Sequence, residues 1–243
     1  NFKISLQRSS VDQPLFPRSG SNFMASLAIT PPYSLIDKNI VTSSNPYQWI
    51  EYHKWRLNTE WYVPLGKPAG PEKNKQFVLK VAAKFGFLGK YNDQLRISPF
   101  ERFQVGDAGL TNQFALLGYD IIAHRGFPVY QTSNPKVNPD QQGASEYFTM
   151  FNKYVLELRY PLSLNPSSTI YALTFFEAAN GWYSFKDYNP FQLRRSVGVG
   201  MRFFLPMFGL LGFDYGIGLD RVTPNGKLKD ASRFTFMLGF EPE

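Results

Sequence analysis

The chain has 243 residues, 17% of them aromatic, a mean hydropathy of -0.28 and no cysteine. That excludes thiolate metal sites and disulfides, and no stretch approaches the roughly 18–20 continuous apolar residues of a membrane helix. The net charge of +7 is spread through the predicted strands, which points to lumen lining and anionic headgroups, not to nucleic acid.

The dominant pattern is alternation at period two, in segments of about ten residues. Phe2, Ile4 and Leu6 alternate with Lys3, Ser5 and Gln7, and Phe23, Ala25, Leu27 and Ile29 follow with Met24, Ser26 and Ala28 between them. Trp55, Leu57, Trp61 and Val63 oppose Arg56, Asn58 and Glu60; Phe77, Leu79, Val81, Phe85 and Phe87 oppose Lys80 and Lys84. Tyr154, Leu156, Leu158 and Tyr160 oppose Glu157 and Arg159, and a further strand is expected within 169–182. Val197, Val199, Met201 and Phe203 oppose Gly198, Gly200 and Arg202. After a turn near Pro206 and Gly209, Phe213, Tyr215, Ile217 and Leu219 oppose Asp214, Gly216 and Gly218; Phe234, Phe236, Leu238 and Phe240 close the chain.

A soluble sandwich would also alternate. Large aromatics near the strand ends and charge with glycine on the opposite faces instead predict an all-β, antiparallel transmembrane β-barrel portion of about nine strands with a wet lumen. Single-chain outer-membrane barrels have even strand numbers, so earlier strands are expected outside this sequence. The whole of 1–243 is read as the C-terminal part of one barrel domain.

Connections are expected to alternate in length. The shorter set is 15–20, 64–74, 161–168 and 205–209, each bearing Pro or Gly; 32–52, 184–190 and 220–232 are longer. One connection, about 89–147, is far longer and too rich in Phe, Leu, Ile and Tyr for plain disorder. It must bury that apolar surface, and the lumen is the available place.

Within it, Ala123-His124-Arg125-Gly126-Phe127 would be an exposed turn if read in isolation. In the lumen, Arg125 would be desolvated and would require acceptors, and its planar fork suits carboxylates. Alternation points Glu157 inward. Tyr171, Leu173 and Phe175 share the face of Glu177. Either that lumen wall is aromatic or a bulge near Ala178 shifts the phase; a bare carboxylate facing lipid would be costly, so Glu177 is still expected inside. Enzyme signatures are poor. Only His53 and His124 are histidines, no G-x-S-x-G, H-E-x-x-H or P-loop pattern occurs, and neither catalytic residues nor a cofactor or metal is expected. The Gly-x-Gly pairs at 198–200 and 216–218 lie inside strands, where glycine marks a bend or a close approach.

In order along all 243 residues, the chain resembles the C-terminal barrel of the BamA family of outer-membrane insertases, whose superfamily includes two-partner secretion translocators. Val11 to Ser21 resembles the family's periplasmic turn, and the run from Phe100 through Phe103 to Asp107 the aromatic start of its long loop. Arg125-Gly126-Phe127 matches the loop-tip motif, Glu157 the inward carboxylate of the next strand, and 175–182 the acidic motif of the strand after it. Residues 206–218 resemble the turn and strand before the last one, and Phe234 to Phe240, including Gly239, the terminal assembly signal. His124 stands where the family usually has Val or Ile, Glu177 replaces the commoner Asp, and the chain ends in Glu241-Pro242-Glu243 in place of an aromatic.

The resemblance implies Arg125 bonded to Glu157 and Glu177, and a seam at the terminal strand. It also implies insertion of nascent outer-membrane proteins at the bacterial outer membrane, in contact with lipid and lipopolysaccharide and with accessory assembly subunits. A two-partner secretion translocator, a passive porin and an outer-membrane enzyme are the rivals, in that order.

Overall fold

The computed structural model describes all residues except 38, 41–48, 71–73, 107–108, 110–119, 132–146, 166–167, 207–208, 223–225 and 240–243. Asp107, Phe240 and the Glu241-Pro242-Glu243 ending therefore lie outside the described residues.

The alternating segments form β1 (Phe2–Ser9), β2 (Gly20–Ile29), β3 (His53–Ala69), β4 (Lys75–Gly89), β7 (Met150–Asn165), β8 (Ser168–Trp182), β9 (Arg194–Leu205), β10 (Gly209–Gly218) and β11 (Ser232–Gly239). They make one nine-stranded sheet in the order β1-β2-β3-β4-β7-β8-β9-β10-β11, antiparallel throughout. The two strands missing from that order, β5 (Phe103–Gly106) and β6 (Asp120–Ala123), pair in parallel with each other inside the long connection. Alternation could not reveal them, because four residues, FQVG and DIIA, are too few to show a period of two. No described helix is long and apolar enough to cross a membrane.

The pleat sends alternate side chains to opposite faces. Trp55, Trp61, Phe77, Val81, Leu156, Val199, Phe213, Phe234 and Leu238 are exposed on one face, while Lys80, Lys84, Glu157, Arg159, Arg202 and Asp214 are buried on the other. That is apolar-out, polar-in, as in a membrane barrel wall. The polar face is covered in part by the long connection, which sets Arg125 over Phe175, and in part by Phe16 of the segment between β1 and β2, which packs on Tyr62, Val78 and Tyr171.

Two expected turns are shorter than the prolines suggested. β3 runs through Pro64, which pairs with Val78, and β7 runs through Pro161, which pairs with Tyr171. In each case the pairing on the other side has already ended, with β2 at Gly20/Tyr62 and with β4 at Val78/Arg159. Past those points a missing N–H breaks no ladder on that side, which is where a strand tolerates proline. No bulge occurs at Ala178: the β7–β8 register is continuous from Met150/Trp182 to Pro161/Tyr171. The lumen wall is therefore aromatic, with Tyr171, Leu173 and Phe175 buried beside Glu177.

The turn between β1 and β2 is tied by Asp12, which accepts from the Arg18 and Ser19 N–H groups at 2.8 and 3.1 Å. Gly20 closes it with φ +103, and a Cβ there would stand 2.2 Å from the Ser10 carbonyl oxygen.

Candidate functional site: a loop locked across the lumen face

The long connection leaves β4 at Gly89 and enters β7 at Met150. Its root is pinned to β3 by charge: Lys54 Nζ lies 3.2 Å from Glu101 and 2.8 Å from Asp120, and Arg56 also pairs with Asp120. Beneath these cations Phe103 is fully buried, 4.8 Å from the Phe151 ring, with Lys54 Nζ 4.9 Å from its own centroid. Phe100, three residues earlier, is 62% exposed. The apolar surface of the loop is thus only partly taken into the lumen, because β5 begins at Phe103 and Phe100 precedes the pairing that draws the chain inward.

The tip is a tight reversal. His124 N–H donates to the Gly106 carbonyl at 2.8 Å, Phe127 N–H to the His124 carbonyl at 3.2 Å, and Gly126 takes φ +84. This reversal aims Arg125, only 6% exposed, at the wall. Its backbone N–H and Nε donate to Glu177 at 2.8 and 2.9 Å, and Nη2 donates to Glu157 at 2.6 Å. The guanidinium carbon sits 3.7 Å from the centroid of Phe175, so the aromatic wall stacks the cation that its neighbouring carboxylates bind. Glu157 and Glu177 come from adjacent strands, and one planar fork spans both.

These carboxylates are shared further. Lys153 Nζ lies 3.2 Å from Glu177 and donates to the Ala123 carbonyl at 2.5 Å. Arg159 Nη2 lies 2.6 Å from Glu157. Arg202 pairs with Asp214 at 2.8 and 2.9 Å, and Asp214 is 3.8 Å from Arg125 Nη1. Burial alone would push the Arg125 guanidinium down, but Glu177, Glu157 and Asp214 hold it above its ordinary value. Alternation already set Arg159, Arg202 and Asp214 opposite lipid-type residues; no local pattern marked Lys153, Lys54, Glu101 or Asp120 as loop anchors.

His124 is fully buried, stacked on Phe127 at 4.5 Å, with Nδ1 2.6 Å from the Tyr130 hydroxyl. Burial pushes its imidazole down to about 3, with Glu177 opposing and Lys153, Arg125 and Arg194 adding to the fall. A base whose folded value lies below its usual 6.5 binds fewer protons folded than unfolded. Stability is therefore full above the usual value and is lost as pH falls toward the folded one. We expect the unfolding free energy of the wild type, read from urea titrations, to drop between pH 6.5 and about pH 4, by up to about 1.4 kcal/mol per pH unit. His124→Phe should remove that part of the acid limb; an unchanged profile would contradict the buried neutral imidazole.

At the terminal strand, Phe234 and Leu238 point outward and are exposed, the Phe236 ring lies 5.1 Å from Phe213, and Gly239 pairs with Leu210. β1 and β11 are the two edges of the sheet.

A family model described as the Omp85 superfamily domain matches residues 1–241. The crystal structure of BamA from Haemophilus ducreyi lacking POTRA domains 1–3 is similar with a TM-score of 0.60 at 15% identity, over 97% of this chain and 41% of that one. This chain therefore spans less than half the length of that relative. No curated protein matches the chain in sequence.

Proposed function

The chain belongs to the Omp85 superfamily, a family of outer-membrane β-barrel insertases and translocators, and on that premise we propose that the protein assists the folding and insertion of other outer-membrane β-barrel proteins at a lateral seam. The observation that carries this reading is the contrast between the lumen face and the sheet edge. The lumen face is crossed by a loop held at its root by Lys54 and Arg56 and at its tip by Arg125. β11, by comparison, is an eight-residue edge strand that pairs on one side with the ten-residue β10 and, among the described residues, has no strand on its other side. A nascent strand entering lipid must satisfy its backbone N–H and C=O groups, and a sheet edge offers partners by strand addition. Such a mechanism needs no covalent step, nucleotide or cofactor. Its partners are nascent outer-membrane proteins, lipid and lipopolysaccharide, with accessory assembly subunits acting on the intact protein.

The test is reconstitution of the full-length protein in liposomes with an unfolded substrate barrel, read as the rate at which the substrate becomes heat-modifiable. Acceleration over empty liposomes by tenfold or more is expected. No acceleration, together with ion conductance or passage of a secreted chain, would replace this reading with the porin or the two-partner translocator.

A further inference from the structure

The loop tip rests on the end of the sheet that leads into the last strand. Paired residues of an antiparallel sheet share a face, and one inward row crosses the wall as Lys80, Glu157, Phe175, Gly198 and Gly216. Arg125 lies over Phe175, and the backbone of Gly126 lies over Gly216. A Cβ at Gly216 would stand 2.7 Å from the Gly126 nitrogen and 3.0 Å from its Cα. A Cβ at Gly218 would meet the Phe127 ring at 3.0 Å and the Gly126 carbonyl oxygen at 3.1 Å. Two glycines on β10 thus form a seat that admits the tip backbone and no side chain.

Beyond β10, a 3-10 turn at Leu219–Arg221 carries Arg221 back over that seat. Arg221 Nη1 donates to the Gly126 carbonyl at 2.9 Å and to the Ala231 carbonyl at 3.3 Å, and Nη2 donates to the Asp230 carbonyl at 3.3 Å. One guanidinium therefore bridges the loop tip, the end of β10 and the two residues before β11. The turn itself is anchored to β9. Asp220 accepts from the Arg195 N–H at 2.5 Å and from its guanidinium at 2.8 Å.

We infer that Arg221 is a positioning residue that couples the loop tip to the terminal hairpin, so that the tip leaving its glycine seat frees the start of β11. The consequence for substrate entry rests on the insertase reading above; the coupling itself does not. Charge-assisted bonds to three carbonyls from two nitrogens suit a planar five-donor fork; a lysine carries its three donors on one nitrogen and does not reproduce that spread.

The test is hydrogen exchange of the full-length protein in liposomes, read at the tip amides of residues 124–127 and at the β11 amides of residues 233–235. In Arg221→Ala both sets should exchange at least tenfold faster while β7 and β8 amides are unchanged, and Arg221→Lys should recover part of the protection at both. Gly216→Ala, which displaces the tip with Arg221 retained, should give the same paired loss. A rise at only one set, no rise, or a uniform rise along the chain would overturn the coupling. Substrate assembly is measured in the same vesicles. A threefold or larger change of rate in Arg221→Ala ties the coupling to insertion, and an unchanged rate beside an active wild type overturns that tie. A wild type without activity overturns the insertase reading and leaves the exchange data to decide the coupling.

Discussion

Arg125→Ala is expected to lower the stability of the folded barrel by about 3 kcal/mol and to release the loop tip. Removing one member of a buried ion pair typically costs about 3–5 kcal/mol, because the other is left charged and unpaired. Here the lower end applies. Glu157 keeps Arg159 at 2.6 Å and Glu177 keeps Lys153 at 3.2 Å. What neither cation can replace is the bridge. Arg125 reaches both carboxylates and carries the tip with it. The loss should appear as a lower urea midpoint and as protease cleavage within the long connection. Arg125→Lys should recover less than half of the midpoint, since an ammonium cannot reproduce Nε and Nη2 donation in one plane. A midpoint and a cleavage pattern equal to wild type would remove Arg125 from its bracing role.

Gly86→Ala is expected to have a comparable effect at the other end of the loop. Gly86 lies on β4 opposite Phe151, and a Cβ there would stand 2.2 Å from one Phe151 ring carbon and 2.8 Å from the Phe103 ring. Both rings are fully enclosed, so neither can yield without moving β7 or the loop root. Overpacking of this kind costs about 1–3 kcal/mol. Because Phe103 carries β5, the strain should also weaken the Lys54 and Arg56 anchors. We expect a lower urea midpoint and faster hydrogen exchange at residues 103–106, with the tip amides at 124–127 less affected. Insensitivity of both measurements would mean that the root is not seated against β4. Comparing the two variants separates root from tip, which are joined in sequence through β5 and β6 but anchored to different strands.

The locked loop gives a physical account of why the lumen face carries so much charge. A wall that lined only water would need no pairing pattern. This wall pairs its cations and carboxylates across strands and with the loop, and it flanks the guanidinium of Arg125 with Phe175 and that of Arg159 with Tyr171 at 5.4 Å. Burial makes each of these charges dependent on its partners, which is why single removals are expected to propagate through the network.

Much of this was legible in the sequence because it depends on local period. A strand sends every second side chain to the same face, so the nine wall strands and the inward direction of Glu157, Arg159, Arg202 and Asp214 follow from alternation alone. Glu177 marks the limit of that reasoning. Its aromatic neighbours on one face left its direction open until the unbroken β7–β8 register placed Tyr171, Leu173 and Phe175 on the lumen side. The prolines misled for a related reason. Whether Pro64 and Pro161 end a strand depends on where pairing with the neighbouring strand stops, and no local pattern carries that.

The path of the long connection was beyond local reading. Its richness in apolar residues predicted that it must bury surface, yet nothing within it distinguished the enclosed Phe103 from the exposed Phe100. The partners of its charges lie 52 residues away for Arg125 and Glu177 and 95 for Gly126 and Arg221. Sequence by itself determined the class of wall, the face of each wall residue and, through resemblance, the motif at the tip. Tertiary structure alone decided which cation meets which carboxylate and that the glycines of β10 are a seat. The reason is that side-chain direction follows from two backbone dihedrals per residue, whereas a contact also requires the register of several strands and the course of a loop between them.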